Sequence, residues 1–271
     1  MPALMRIRRA FTLLCFYSSL AGCAPRTTAT AAVAGVPALK TITLACRAPA
    51  PGRTWTAAYD TRGVFKENTP KGVKEHHFHN EQEMLFEILA SSPTEVTSAR
   101  VTFLLATASA IIDGKDERSA LPVELKSYLY QHHDGQIEVT MDDGSPVPDR
   151  EIVAKENDTI GNAPAMLRVL SGRTFTAGHT VTLNADERRK TRRSSELVTQ
   201  ASVTFLGMSG ALARFRSEFT ADGPEPGRKT SSADVALVDP GSCQPHEVQG
   251  TATSTGPTGS VDMQLRVHQG R

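Results

Sequence analysis

Residues 96–105 read VTSARVTFLL and residues 198–207 read VTQASVTFLG. What limits the fold most is the alternation inside this twice-written stretch. Side chains leave a strand on opposite faces in turn, so Ala99, Val101 and Phe103 share one side and Ser98, Arg100 and Thr102 the other. In the second copy Ala201, Val203 and Phe205 match the first set, and Gln200, Ser202 and Thr204 match the second. Both exchanges within V-T-x-A-x-V-T-F-L, Ser98 for Gln200 and Arg100 for Ser202, fall on the polar side. Packing restrains one face while water tolerates change on the other. The two copies therefore read as one half-buried strand written twice, which points to an internal duplication.

Strand signals run through the rest of the chain. TWTAAYDT, EMLFEIL, KSYLYQ, QIEVTM, ALARFRSEFTA, ADVALVD and VDMQLRVHQ carry alternation, β-branched residues or aromatics. Turn chemistry separates them at Asp134-Gly135, Asp143-Gly144, Asp222-Gly223 and Gly256-Pro257-Thr258-Gly259. Two hairpins are expected, YLYQHHDGQIEVT and EVQGTATSTGPTGSVDMQLRV. Helix signals are confined to the middle. Pro148-Asp149-Arg150-Glu151 opens one short helix, and Asn162-Ala163-Pro164 opens a second, AMLRVL, that stops at Gly172.

The predicted fold class is mainly β: a strongly curved antiparallel sheet or incomplete barrel built from two related halves, with a short helical segment between them. The halves span residues 41–147 and 173–271, and the helical bridge spans 149–172. In outline this layout resembles the lipoprotein carriers of the bacterial envelope, although no motif is shared with them.

The first residues, MPALMRIRRAFTLLCFYSSLAGC, place Arg6, Arg8 and Arg9 before an apolar run from Phe11 to Leu20. That run is far short of the roughly 20 residues a membrane-spanning helix needs. Small residues then lead to a cleavage point, as in a secretory signal. The quartet Leu20-Ala21-Gly22-Cys23 resembles the lipobox of bacterial lipoproteins. The resemblance covers residues 1–23 alone. It implies that residues 1–22 are removed, that Cys23 becomes the first residue and carries the lipid, and that an organism with two membranes sorts the protein to the outer one. Each buried methylene of an acyl chain is worth roughly 0.8 kcal/mol, so several chains on Cys23 suffice as a membrane anchor. Residues 23–40, rich in Thr and Ala and without an apolar period, read as a flexible tether. Residues 41–271 then form a single β-rich domain.

The full chain has a formal charge of +1. Removing the three leader arginines leaves it slightly acidic, without the basic excess that nucleic acid would call for. Of four cysteines, Cys15 leaves with the signal and Cys23 is the lipid site. Cys46 and Cys243 remain, and in an oxidising compartment they are expected to form a disulfide. Neither has a neighbouring cysteine at metal-ligand spacing.

One stretch carries a chemical alternative. In KEHHFHNEQE, residues 74–83, an extended chain puts Glu75, His77, His79, Glu81 and Glu83 on one face. The region His76–His79 thus offers His77 and His79 as weak candidate ligands for zinc or copper. The His132-His133-Asp134 tip could add to them. The bland reading is a solvated strand face. ADERRKTRRSSE crowds Arg188, Arg189, Lys190, Arg192 and Arg193, which suits a phosphate or lipid headgroup but more often makes a solvated hairpin loop. Ser209 lacks the nucleophile-elbow pattern, and Trp55, the one tryptophan, reads as packing. No catalytic residue and no cofactor is expected. The sequence therefore predicts a non-enzymatic lipid-anchored envelope protein. Its partner would be an apolar ligand or an envelope protein; the alternative is a metal-binding periplasmic protein.

Overall fold

The alternating segments become long strands of one antiparallel sheet. The structure, a computed structural model, describes residues 41–270 apart from 113–114, 134–135, 152, 155–159, 192–196 and 224. The signal, Cys23 and the tether lie outside the described residues, as do Asp134, Arg192 and Arg193.

The first meander comprises β2 (Thr54–Thr69), β3 (Gly72–Ser91), β4 (Val96–Ile112), β5 (Lys115–Ala120), β6 (Lys126–His133) and β7 (Gln136–Met141). The second comprises β9 (Thr180–Thr182), β10 (Leu197–Ser209), β11 (Leu212–Asp222), β12 (Lys229–Val238), β13 (Pro245–Gly256) and β14 (Gly259–Gly270). The strand order is β7-β6-β4-β3-β2-β14-β13-β12-β11-β10-β9, with β5 also pairing β4 and the two ends not joined. The chain thus starts at a central seam, runs outward to one edge, crosses to the other edge and returns. The seam is the pairing of β14 with β2 from Gly259↔Glu67 to Gly270↔Thr56. A separate pair, β1 (Thr41–Thr43) with β8 (Thr174–Thr176), lies outside the sheet.

Both expected hairpins form, β6 with β7 and β13 with β14. The bridge holds a single turn of 3₁₀ helix at Asp149–Glu151 and α1 (Ala165–Arg168). It ends at Gly172, whose φ of +85° is the left-handed value that glycine adopts without steric cost. The basic run departs from the expected loop. Residues Ala185–Lys190 form α2, opened by Asn184, whose side chain accepts from the amides of Asp186 and Glu187 while Glu187 reaches back to the Asn184 amide.

The inward face carries two core clusters. One gathers Trp55, Phe86, Ile88, Val101, Phe103, Tyr128 and neighbours, and Trp55 stacks on Phe86 at 5.4 Å between ring centres. The other gathers Phe205, Phe215, Val238, Leu265 and their neighbours under Met166, Leu167 and Leu170 of the bridge and Phe175 of β8. The bridge is latched to both meanders. Tyr130 donates to the Ala154 carbonyl at 2.8 Å, and Gln244 donates to the Gly161 carbonyl at 2.7 Å. The Cys46–Cys243 disulfide, across 197 residues, ties the approach to β2 to the turn before β13.

The repeated stretch is resolved in detail. Ala99, Val101 and Phe103 of β4 and Ala201, Val203 and Phe205 of β10 are all buried. The two copies also bulge at the same places. Against β3, Thr97 and Leu104 fall between register partners; against β11, Thr199 and Leu206 do. Each bulge adds a residue that the partner strand does not match. Leu104 and Leu206 lie outside the core, at 37% and 40% exposure, and past Leu104 the buried phase moves to Ala106. The shared sequence thus encodes a doubly bulged strand, and not alternation alone.

Candidate functional site

Register decides which polar groups meet on the outward face of β2, β3 and β4. Asp60 pairs across from Glu81 and Arg62 from His79, while β4 sets Thr107 beside Glu81 and Ser109 beside His79. Two carboxylates directly opposite repel, and cations surround them. Arg62 forks onto Asp60 at 3.0 and 2.8 Å. Arg118 of β5 donates to Glu81 Oε2 at 2.7 Å. Between the acids stands His79, whose Nε2 lies 3.3 Å from Asp60 Oδ1 and 3.9 Å from Glu81 Oε1. That nitrogen is buried and makes no hydrogen bond of good geometry. Asp60, His79 and Glu81 each bring one ligand atom within 4.8 Å of the others.

The other expected ligands are not brought to this point. His77 shares the face but is exposed, with Val64 and Ile111 as its register neighbours. His76 points inward, with its ring against Phe65. His132 approaches Glu95 at 3.6 Å and lies on the side of Tyr128 and Tyr130, opposite to His79. The sequence placed His79 and Glu81 on one face; Asp60 needed the β2–β3 register, which no local pattern reports.

Two grooves open on the outward face. Asp60, Glu81, Glu83, Glu247, Arg266 and His268 contribute to one, of about 360 Å³. Gln200, Ser202, Thr220, Ser231, Thr251 and Thr253 line much of the other, of about 560 Å³. Tyr59, Leu105, Val248 and Val267 also line the first groove, and Ala201, Phe219 and Ala233 the second, so both walls mix polar and apolar groups. α2 borders the second groove through Arg188, which also donates to the Leu183 carbonyl at 2.9 Å. Within the run Arg189 pairs with Asp186, and Arg173, outside it, pairs with Glu187.

On the inward face two carboxyls are buried among the described residues, with opposite consequences. Glu151, 1% exposed, receives the Lys126 ammonium and the Tyr128 hydroxyl, the latter at 2.8 Å. Burial alone would raise its pKa, but the two donors and Arg150 outweigh burial and hold the carboxyl below the ordinary glutamate range. Tyr128 is raised well beyond the usual tyrosine value, by burial first and then by donation to Glu151.

Asp234 of β12 stands between Ser217 and Gly250 in the register, 2% exposed, and its Oδ2 has no partner. Desolvation, and secondarily the charge of Glu218, raise its pKa well above the ordinary aspartate value. A carboxyl raised in the fold favours folding fully only below its unfolded pKa, and that contribution is lost as pH rises toward the folded value. Asp234→Asn is therefore expected to gain on the order of 2 kcal/mol at pH 7 and to flatten the decline between pH 5 and 7.5. Urea midpoints of both proteins at the two pH values measure this, and an equal slope would refute it.

The fold and site define a β protein of the open antiparallel-sheet class, closed by one disulfide and presenting a charge-paired polar face. No family model matches the sequence, and no curated protein does. Among solved structures the chain is similar to one described as "Lipid-protein interactions in lipovitellin", with a TM-score of 0.48, 8% identity, 82% of this chain covered and 25% of that one. It is also similar to DynF from the dynemicin biosynthesis pathway of Micromonospora chersina, with a TM-score of 0.23, 10% identity, and 93% and 95% coverage. The chain spans about a quarter of the length of the lipovitellin chain. Among the described residues no helix is long and apolar enough to cross a membrane.

Proposed function

We propose that the protein is a non-enzymatic lipoprotein of the bacterial envelope. It is exported by residues 1–22, anchored through acylated Cys23, and carried on the tether 23–40; where there are two membranes it resides in the outer one. The observation that carries this reading is the Cys46–Cys243 bond, since structural disulfides persist in exported, oxidising compartments. The Leu20-Ala21-Gly22-Cys23 quartet supports the anchor. The shared bulges of β4 and β10 support descent of the two meanders from one ancestral half, and a sheet that bends along those two strands.

The working surface in this reading is the outward face, where the two grooves of mixed polar and apolar lining lie, and its partner is another component of the envelope. An apolar ligand has less support, because the aromatic clusters pack the inward face against the bridge. Membrane fractionation tests the anchor: Cys23→Ala is expected to move the protein from the membrane pellet to the soluble fraction, and an unchanged distribution refutes it. A native mass spectrum of the released protein decides the ligand, since bound acyl chains would restore the apolar-carrier reading.

A further inference from the structure

We infer that Asp60, His79 and Glu81 form a binding site for a single divalent transition-metal ion of the zinc type. The site is independent of the lipid anchor. It lies on the outward face, at the margin of the groove that Asp60 and Glu81 also line.

The spacing of the ligand atoms is the first support. Zinc holds nitrogen and carboxylate oxygen at about 2.0–2.2 Å in tetrahedral geometry, which sets neighbouring ligand atoms about 3.4 Å apart. His79 Nε2 is already 3.3 Å from Asp60 Oδ1, and Glu81 Oε1 at 3.9 Å needs to close by roughly 0.5 Å.

The second support is the orphaned nitrogen. Nε2 of His79 is buried without a hydrogen bond while two anionic oxygens face it, and a bound ion would give it a partner. The third is the shell behind the ligands. Arg118 and Thr107 hold Glu81 by Oε2, leaving Oε1 directed at His79. Arg62 fixes the plane of Asp60. Metal-binding carboxylates are commonly oriented by such outer hydrogen bonds.

The donor set also selects among ions. One imidazole with two carboxylates suits zinc and its neighbours. Calcium prefers six to eight oxygens, and magnesium an octahedral oxygen shell. Three protein ligands leave a fourth position for water or for a side chain of a partner.

The test is titration of the full-length protein in detergent with Co(II) as an optical probe, followed by displacement with Zn(II). One equivalent of Co(II) should develop the visible absorption of a four-coordinate site, and Zn(II) should abolish it. His79→Ala should remove that absorption and weaken binding at least a hundredfold. Glu81→Gln, which keeps the shape of the side chain, should weaken it at least tenfold. His77→Ala should leave both unchanged. No binding, binding that survives His79→Ala in a folded protein, or equal loss on His77→Ala would each overturn the assignment. The last would return the ion to the histidine pair of β3.

Discussion

Replacing both Cys46 and Cys243 by alanine is expected to cost about 5 kcal/mol, the largest single effect in this fold. The bond closes a loop of 197 residues, and on the chain-entropy account a loop of that length removes about 5 kcal/mol of freedom from the unfolded chain. A domain of this size has a total stability of about 5–15 kcal/mol, so the variant should lose a third or more of it. On that account the loss is global, and the pairing of β2 with β14 is the contact that most needs the long loop closed. The seam joins the first and last long strands of the chain, and the disulfide joins the segments that enter β2 and β13, next to it. Both cysteines have positive φ, 38° and 56°, so the alanines inherit a backbone that favours glycine. Guanidinium unfolding of the oxidised, reduced and double-alanine proteins separates the two effects. Reduction removes only the bond, and the alanines add the backbone change. A midpoint insensitive to reduction would show that the loop is not what holds the seam.

The seam also marks where reading the sequence runs out. Local alternation identified nearly every strand of the main sheet, because each strand buries one face and wets the other. The hairpins were legible from Asp-Gly and Gly-Pro-Thr-Gly turns placed between such runs. Pairing of β2 with β14 has no local signature; only Cys46 and Cys243 hinted that the two ends of the chain meet. In ADVALVD both faces of β12 carry apolar residues, so alternation could not say that Asp234 is the one turned inward. α2 has a local signature of its own. Asn184-Ala185-Asp186-Glu187 is a capping-box pattern, obscured by the arginines that follow it. The bulges at Thr97 and Leu104 shift the phase of the pattern, yet they sit at the same positions in both copies. The repeat therefore held more structure than its alternation disclosed.

Glu151→Ala is the second large effect, expected to cost about 3 kcal/mol. Glu151 is one of two points at which the bridge is fastened to β6, through Lys126 and Tyr128 on one strand face, the other being the bond from Tyr130 to the Ala154 carbonyl. Removing the carboxylate strands the two partners unequally. Lys126 is a third exposed and can turn its ammonium to water, whereas the Tyr128 hydroxyl is fully buried and would lose its acceptor, at about 1–3 kcal/mol. Adding Tyr128→Phe to Glu151→Ala should therefore restore about 1 kcal/mol or more, a non-additivity that a double-mutant cycle measures. The pH dependence runs opposite to that of Asp234. The folded carboxyl of Glu151 titrates below its unfolded value, so its contribution is complete above the ordinary glutamate pKa of about 4.3 and is lost as pH falls toward the folded value. Wild type should thus lose stability on acidification below about pH 5, and Glu151→Ala should lose less over the same range. Additive single-mutant effects would mean that Tyr128 finds another acceptor, and the latch would then be a matter of packing alone.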